Sequence, residues 1–204
     1  MAGDRTDKIH DRVRLVLGID AIDKIPSNLL YGKIDDLQRR IAEDALCIEG
    51  SASLVVSGGT VSEPSGFFRF KQIVLGTGSK IQPTELDVNE YDALTRISPS
   101  TTGAEEFFKR WGGTLTFYSL DNGTYTAFLY KVPSTNVSTT VDPETPQTFD
   151  LAIEYGTVAE LAPLVGGMEI AGNYYALYEK EFRRALNAWR RTKDKGFSIY
   201  YHDF

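Results

Sequence analysis

Residues 114–132 read TLTFYSLDNGTYTAFLYKV, and this stretch decides the fold class. Thr114–Leu120 and Thr124–Val132 flank Asp121-Asn122-Gly123, and Asn-Gly favours the positive φ values of a type I′ turn. Leu115 and Phe117 alternate with Thr114, Thr116 and Tyr118, as a half-buried strand requires. The stretch therefore predicts a β-hairpin. The same texture extends in both directions: SASLVVS, FFRF, QIVLGT and FDLAIEY are short Val/Ile/Phe/Tyr-rich runs bounded by Gly and Pro. Between them, LDVNEYDALTR predicts a short helix with Leu86, Tyr91 and Leu94 turned inward. Gly76-Thr77-Gly78 reads as a β-turn, since the third glycine and the following helix of a dinucleotide loop do not appear. Residues 133–148, PSTNVSTTVDPETPQT, hold three prolines and almost nothing apolar, which predicts a long exposed loop.

Outside this region the period changes to helical. Ile9, Val13, Val16 and Leu17 form a stripe that Gly18 stops. A second helix is expected from Ile34, with Leu37, Ile41, Ala45 and Ile48 on its face and Gly50 as its end; Pro26 and Asn28 break the linker before it. Near the other end, VAELAPLVGG predicts a broken helix. A strong helix is expected over about Gly172–Lys193, with Tyr175, Tyr178, Phe182, Ala185, Leu186 and Trp189 as its aromatic-rich stripe. The fold class is α+β: an N-terminal helical hairpin and a long C-terminal helix forming a helical bundle, an inserted antiparallel β-rich region, and an extended C-terminal arm. The expected bounds are 1–50 and 157–195 for the helical body, 51–156 for the insertion and 196–204 for the arm.

Charge is unevenly spread. Lys and Arg number 22 against 28 Asp and Glu, a net charge of −6. Residues 179–195 nevertheless run basic, through Arg183, Arg184, Arg190 and Arg191 around Trp189, which suits contact with another subunit or a partner, or alternatively nucleic acid or a plain solvated helix face. An acidic chain of this kind is a poor match for a protein that neutralises many phosphates. Only Cys47, His10 and His202 are present as cysteine and histidine, leaving little for a disulfide framework, a metal cluster or His-based catalysis. No Walker A loop or nucleophile elbow occurs. The acidic pairs Asp35-Asp36 and Glu105-Glu106 are expected on solvated faces. The expectation is thus no catalytic residue, no metal site and no cofactor. The first seventeen residues carry charges throughout and no run approaches a membrane span, so synthesis in a cytoplasm, a reduced Cys47 and no membrane partner are expected.

The last nine residues, GFSIYYHDF, include Phe197, Ile199, Tyr200, Tyr201 and Phe204, which as a free tail would expose much apolar surface. They are expected to pack on their own domain or on another subunit.

The element order completes the picture. A helical hairpin leads to Trp111-Gly-Gly-Thr-Leu-Thr-Phe-Tyr118, then Phe128-Leu-Tyr-Lys-Val-Pro133 and Leu151-Ala-Ile-Glu-Tyr155. The chain closes on a helix of the pattern Y-x-x-x-Y-E-x-x-F-x-x-A-L-N at Tyr174–Asn187. Over residues 28–192 this resembles the head-to-tail adaptor (connector) proteins of tailed bacteriophages, particularly short-tailed ones. The resemblance implies a non-enzymatic virion protein of the neck, made in the bacterial host cytoplasm. Such proteins form a homo-oligomeric ring, usually of twelve copies, below the portal protein. The ring extends the channel through which double-stranded DNA passes and docks the tail nozzle or tail-tube protein. It further implies a portal-docking arm over Phe197, Ile199, Tyr200, Tyr201 and Phe204, and subunit or portal contacts through Arg183, Arg184, Trp189, Arg190 and Arg191. The alternatives are another neck protein, such as a stopper or tail-completion protein, a hydrolase using Glu105, Asp121 and Glu154, or a carbohydrate-binding β module stacking sugars on Tyr125 and Tyr130.

Overall fold

The computed structural model describes residues 4–18, 24–97 and 106–198. The chain is α+β, with helices and both antiparallel and mixed sheets. It divides into two compact units: residues 1–48 together with 133–204, and residues 49–132.

In the helical unit, α1 (Asp4–Leu17) buries Thr6, Ile9, Val13 and Leu17 at the spacing of one helix face. Gly18 stops it at φ 84°, its N–H donating to the Arg14 carbonyl at 3.1 Å. The second helix, α2 (Ser27–Ala45), starts earlier and ends earlier than expected. Pro26 does not break it but precedes its first residue, where a missing N–H costs nothing, and its carbonyl accepts from Leu29 and Leu30. Leu46, at φ 50°, ends α2, and Gly50 lies in a strand instead.

Residues 133–156 group with the helices, not with the β-rich segment. FDLAIEY, expected as a strand, lies almost wholly in helix α4 (Asp150–Leu161). Ala152, Ile153, Glu154, Gly156, Thr157, Val158 and Leu161 are buried around much of its circumference, because α4 packs against α1, α2 and the last helix. A helix buried on several sides lacks an apolar stripe, so a short apolar run reads the same in either conformation. A 3₁₀ turn (Ala162–Val165) and Gly166 at φ 83° lead into α5 (Met168–Ser198). Phe149 and Tyr178 both pack on Phe182, at ring separations of 6.2 and 6.1 Å.

The loop before α4 is long, as expected, but it is tied down rather than wholly exposed. Val137, Pro143 and Thr145 are buried. Asp142 Oδ1 accepts from the backbone N–H groups of Arg5 and Thr6 at 2.9 and 3.0 Å, satisfying donors that the start of α1 leaves unpaired. The Arg5 guanidinium donates to the carbonyls of Pro143 and Thr145 and pairs with Asp150. Gln38 Oε1 accepts from the Glu144 N–H at 3.0 Å.

Among the described residues the second unit contains eight strands. β1 (Glu49–Val56), β8 (Gly123–Lys131), β3 (Phe67–Val74) and β4 (Lys80–Ile81) form one sheet in that order. β2 (Thr60–Ser62), β7 (Thr114–Phe117), β6 (Phe107–Trp111) and β5 (Thr84–Glu85) form the other. Pairing is antiparallel except for β5 on β6, which is parallel, so the region is not purely antiparallel. The expected hairpin across Asp121-Asn122-Gly123 is not formed: β7 and β8 lie in different sheets. The hairpin joins β6 to β7 instead, with Gly112 and Gly113 at φ 55° and 75° in its two-residue turn. Asn122 Oδ1 accepts from the Gly58 N–H at 2.7 Å, while residues 118–122 carry the chain between sheets. Buried Glu106 holds that crossing, its carboxylate accepting from the N–H groups of Tyr118 and Ser119 at 3.1 Å each. Phe70 centres the core, with Phe67, Phe108 and Phe117 at 4.7, 5.1 and 5.8 Å. Gly76-Thr77-Gly78 is a turn, closed by Gly78 N–H on the Leu75 carbonyl. The short helix α3 (Val88–Ile97) buries Tyr91, and Asp87 with Glu90 forms its capping box.

Candidate interaction surface on the helical unit

Helix α5 carries most of the residues singled out from the sequence. Its inner face is Ala171, Tyr174, Tyr178, Phe182, Ala185, Leu186 and Trp189. Tyr175, expected inside, is 57% exposed. Tyr174 takes the inner position and meets Tyr155 edge-on at 5.6 Å. Both tyrosines fit a helical period, and only the position of the neighbouring helix chooses between them.

Outside this face the two halves of α5 differ. The first half exposes Met168, Ile170, Tyr175 and Leu177; the second exposes Arg183, Arg184, Arg190 and Arg191. Arg183 pairs with Glu179 at 3.4 Å and Arg184 with Glu181 at 3.2 Å. Trp189 is only partly exposed among them: it packs against the core, with Lys193 Nζ 5.0 Å from its ring centre. The helix runs through Ser198, so the backbone at Phe197 is helical rather than an extended arm. Ile199, Tyr200, Tyr201 and Phe204 lie outside the described residues.

A groove of about 330 Å³ opens beside Tyr175, lined by Leu37, Gly156, Ala159, Ala171, Gly172 and Tyr178, with Arg40 and Glu160 paired at 3.0 Å on its rim. At Gly156 a Cβ would stand 2.9 Å from Leu37 Cδ1 and 3.0 Å from Tyr178, so only glycine lets these helices approach so closely. At Gly172 a Cβ would meet nothing within 4 Å. The small residues Gly156 and Ala159 were the available sequence signal for this groove, hidden by reading the start of α4 as a strand.

Asp35 accepts from Gln38, Arg39 and the Val137 N–H, so only Asp36 of that pair is a solvated residue. Glu106 is buried rather than solvated, and Glu105 lies outside the described residues. Glu154 belongs to the helical unit and Asp121 to the other. Burial raises the Glu154 carboxyl above its usual range against the opposing pull of Arg12, 3.3 Å away. Burial likewise pushes the Cys47 thiol up to about 11, keeping it protonated near neutrality. It also pushes Tyr91 up to about 12, helped by the charges of Glu106 and Asp92. His10 stacks on Tyr31 at 5.2 Å and accepts from Arg14 Nε at 3.1 Å. Tyr125 and Tyr130 stand five positions apart on β8 and so point to opposite faces, giving no shared stacking surface. Among the described residues there is no group of three His, Cys, Asp or Glu placed to hold a metal, and no helix long and apolar enough to cross a membrane.

No protein-family model matches the chain, and no curated protein matches it.

Proposed function

We propose that the chain is a structural virion protein, a head-to-tail adaptor of a tailed bacteriophage. In this reading it forms a ring below the portal protein, extends the DNA channel and docks the tail nozzle or tail-tube protein. The observation that carries the reading is the outward face of α5: an apolar first half and an arginine-rich second half that the helical unit's own core does not use. Large exposed apolar side chains beside exposed arginines are the composition of protein-contact surfaces. The helices are then the ring-forming bundle, the β-rich unit an insertion in it, and residues 196–204 a segment that anchors on the portal through its aromatic side chains. The chain's net charge of −6 suits a conduit that repels the DNA backbone and lets it slide.

Electron microscopy of the purified chain mixed with its portal tests the reading. The expected image is a cyclic ring seated on the portal. Deleting residues 196–204 is expected to abolish attachment while the far-UV circular dichroism stays helical. Separate particles in every mixture would overturn the adaptor reading, and a ring that binds tail but not portal would move the protein to a stopper position.

A further inference from the structure

Two unused surfaces of the helical unit match each other. On α1, Asp4, Lys8 and Leu15 fall within about 40° of one another at 100° per residue, on the side away from buried Ile9 and Val13. Leu15 is 82% exposed. On α5, Gly172, Glu179 and Arg183 fall within a similar arc of about 40° on the flank that borders the apolar groove. The spacings are the same in reverse: Asp4 to Lys8 to Leu15 spans four then seven positions, and Gly172 to Glu179 to Arg183 spans seven then four. Laid antiparallel, Leu15 falls on Gly172, Lys8 on Glu179 and Asp4 on Arg183. Both of these charge steps are opposite in sign, and Asp11, exposed on the same face of α1, falls on the uncharged Ala176.

We infer that α1 of one copy docks on α5 of a second copy, with Leu15 seated in the groove at Gly172. The groove lining is almost wholly apolar and suits an aliphatic side chain, and the missing side chain at Gly172 lets the second helix come close. Each charge pair already exists within its own helix, Lys8–Asp4 at 2.7 Å and Arg183–Glu179 at 3.4 Å. Docking joins them into a four-charge network, which holds geometry better than isolated exposed pairs. Knob and groove stand open on the same molecule, so the contact is head-to-tail. Such a contact closes into a ring or runs on as a filament. The inference rests on the ring reading above and names the contact that builds the ring.

The test uses the full chain with two substitutions. Leu15→Asp removes the knob; Gly172→Leu fills the groove at a position with free space, so its fold is expected to hold. Sedimentation velocity up to about 1 mM is expected to show wild-type association, with each variant at least tenfold weaker and its thermal melt unimpaired. Each variant keeps the surface the other lost, so a mixture is expected to give a 1:1 dimer and nothing larger. Variants that assemble like the wild type, or a mixture without dimer, overturn this contact while leaving the ring reading in place. Loss of portal binding in Gly172→Leu with self-association intact assigns the groove to the portal and also overturns it. A wild-type chain that neither self-associates nor binds portal defeats the ring reading itself.

Discussion

The two units solve the same problem in opposite ways. Residues 49–132 make their core from one continuous segment, and four phenylalanines from β3, β6 and β7 fill it. The helical unit is sewn from both ends of the chain, so its decisive bonds span great sequence distances. Arg5 reaches Asp142, Pro143, Thr145 and Asp150, and Gln38 reaches Glu144. The β-rich unit seals its aromatic centre, whereas the helical unit leaves an apolar groove and an arginine face open. The helical unit thus depends on the return of the chain to close, and it still keeps an apolar groove open.

Removing the aromatic centre breaks the comparison most forcibly. Phe70→Ala is expected to cost the β-rich unit about 3–5 kcal/mol. Unfolding residues 49–132 turns them into a long loop, whose closure entropy grows only slowly with length. The helical signal at 222 nm is therefore expected to survive after near-ultraviolet dichroism from the β-rich unit is lost. A single coincident transition for both probes would show that the units are not separable. Arg5→Ala attacks the other side. Losing its partly buried charge-assisted bonds is expected to lower the helical unit's stability by about 2–3 kcal/mol. Proteolysis is then expected to begin within residues 133–146, readable by mass spectrometry of the first fragments.

This division explains what the sequence could and could not disclose. The helix stripe Ile9-Val13-Leu17 and the glycine that stops it were legible because each depends on neighbours within one turn. The β texture was legible for the same reason. Strand pairing was not: Asp121-Asn122-Gly123 has suitable turn residues, but the aromatic core places β7 and β8 in different sheets. The strand FFKRW was obscured because Lys109 and Arg110 interrupt its apolar character, although Lys109 is tethered to Asp92 and Arg110 to Glu63. The conformation of residues 150–161 is decided by α1, α2 and α5 packing around them, the first two far away along the chain. At the candidate surface the exposed arginines were legible, while the groove beside Tyr175 required knowing that α4 is a helix.

Two glycines sharpen the contrast between closed and open surfaces within the helical unit. Gly156→Ala forces a Cβ against Leu37 and Tyr178 and is expected to destabilise by about 1–3 kcal/mol through overpacking. Gly172→Ala enters open space in a helix and is expected to stabilise by about 0.5–1 kcal/mol, since glycine is the poorer helix former. Thermal melts of the two variants should therefore move in opposite directions. Equal shifts would mean that the approach of α4 to Leu37 and Tyr178 is not the constraint at Gly156.

The smallest expected effect is a pH dependence of opposite sign at two carboxylates of the same unit. Burial raises the pKa of Glu144, but four hydrogen bonds from the backbone and hydroxyls of Thr135 and Ser134 outweigh it, and the net shift is downward. Its folded pKa thus lies below the unfolded value near 4.5. The stability it contributes is present above that value and is lost as pH falls through the folded pKa. Glu154 runs the other way: burial raises its folded pKa despite Arg12, so its contribution is present below about 4.5 and is lost as pH rises through the folded value. Urea midpoints measured from pH 3 to 7 should therefore respond differently to the two amide substitutions. Glu144→Gln is expected to flatten the acid-side loss of stability, because the loop 133–146 no longer depends on an ionised carboxylate. Glu154→Gln is expected to remove the decline on the higher-pH side instead. If both variants flattened the same limb, the hydrogen bonds from Thr135 and Ser134 would not be what holds the Glu144 carboxylate in its charged form.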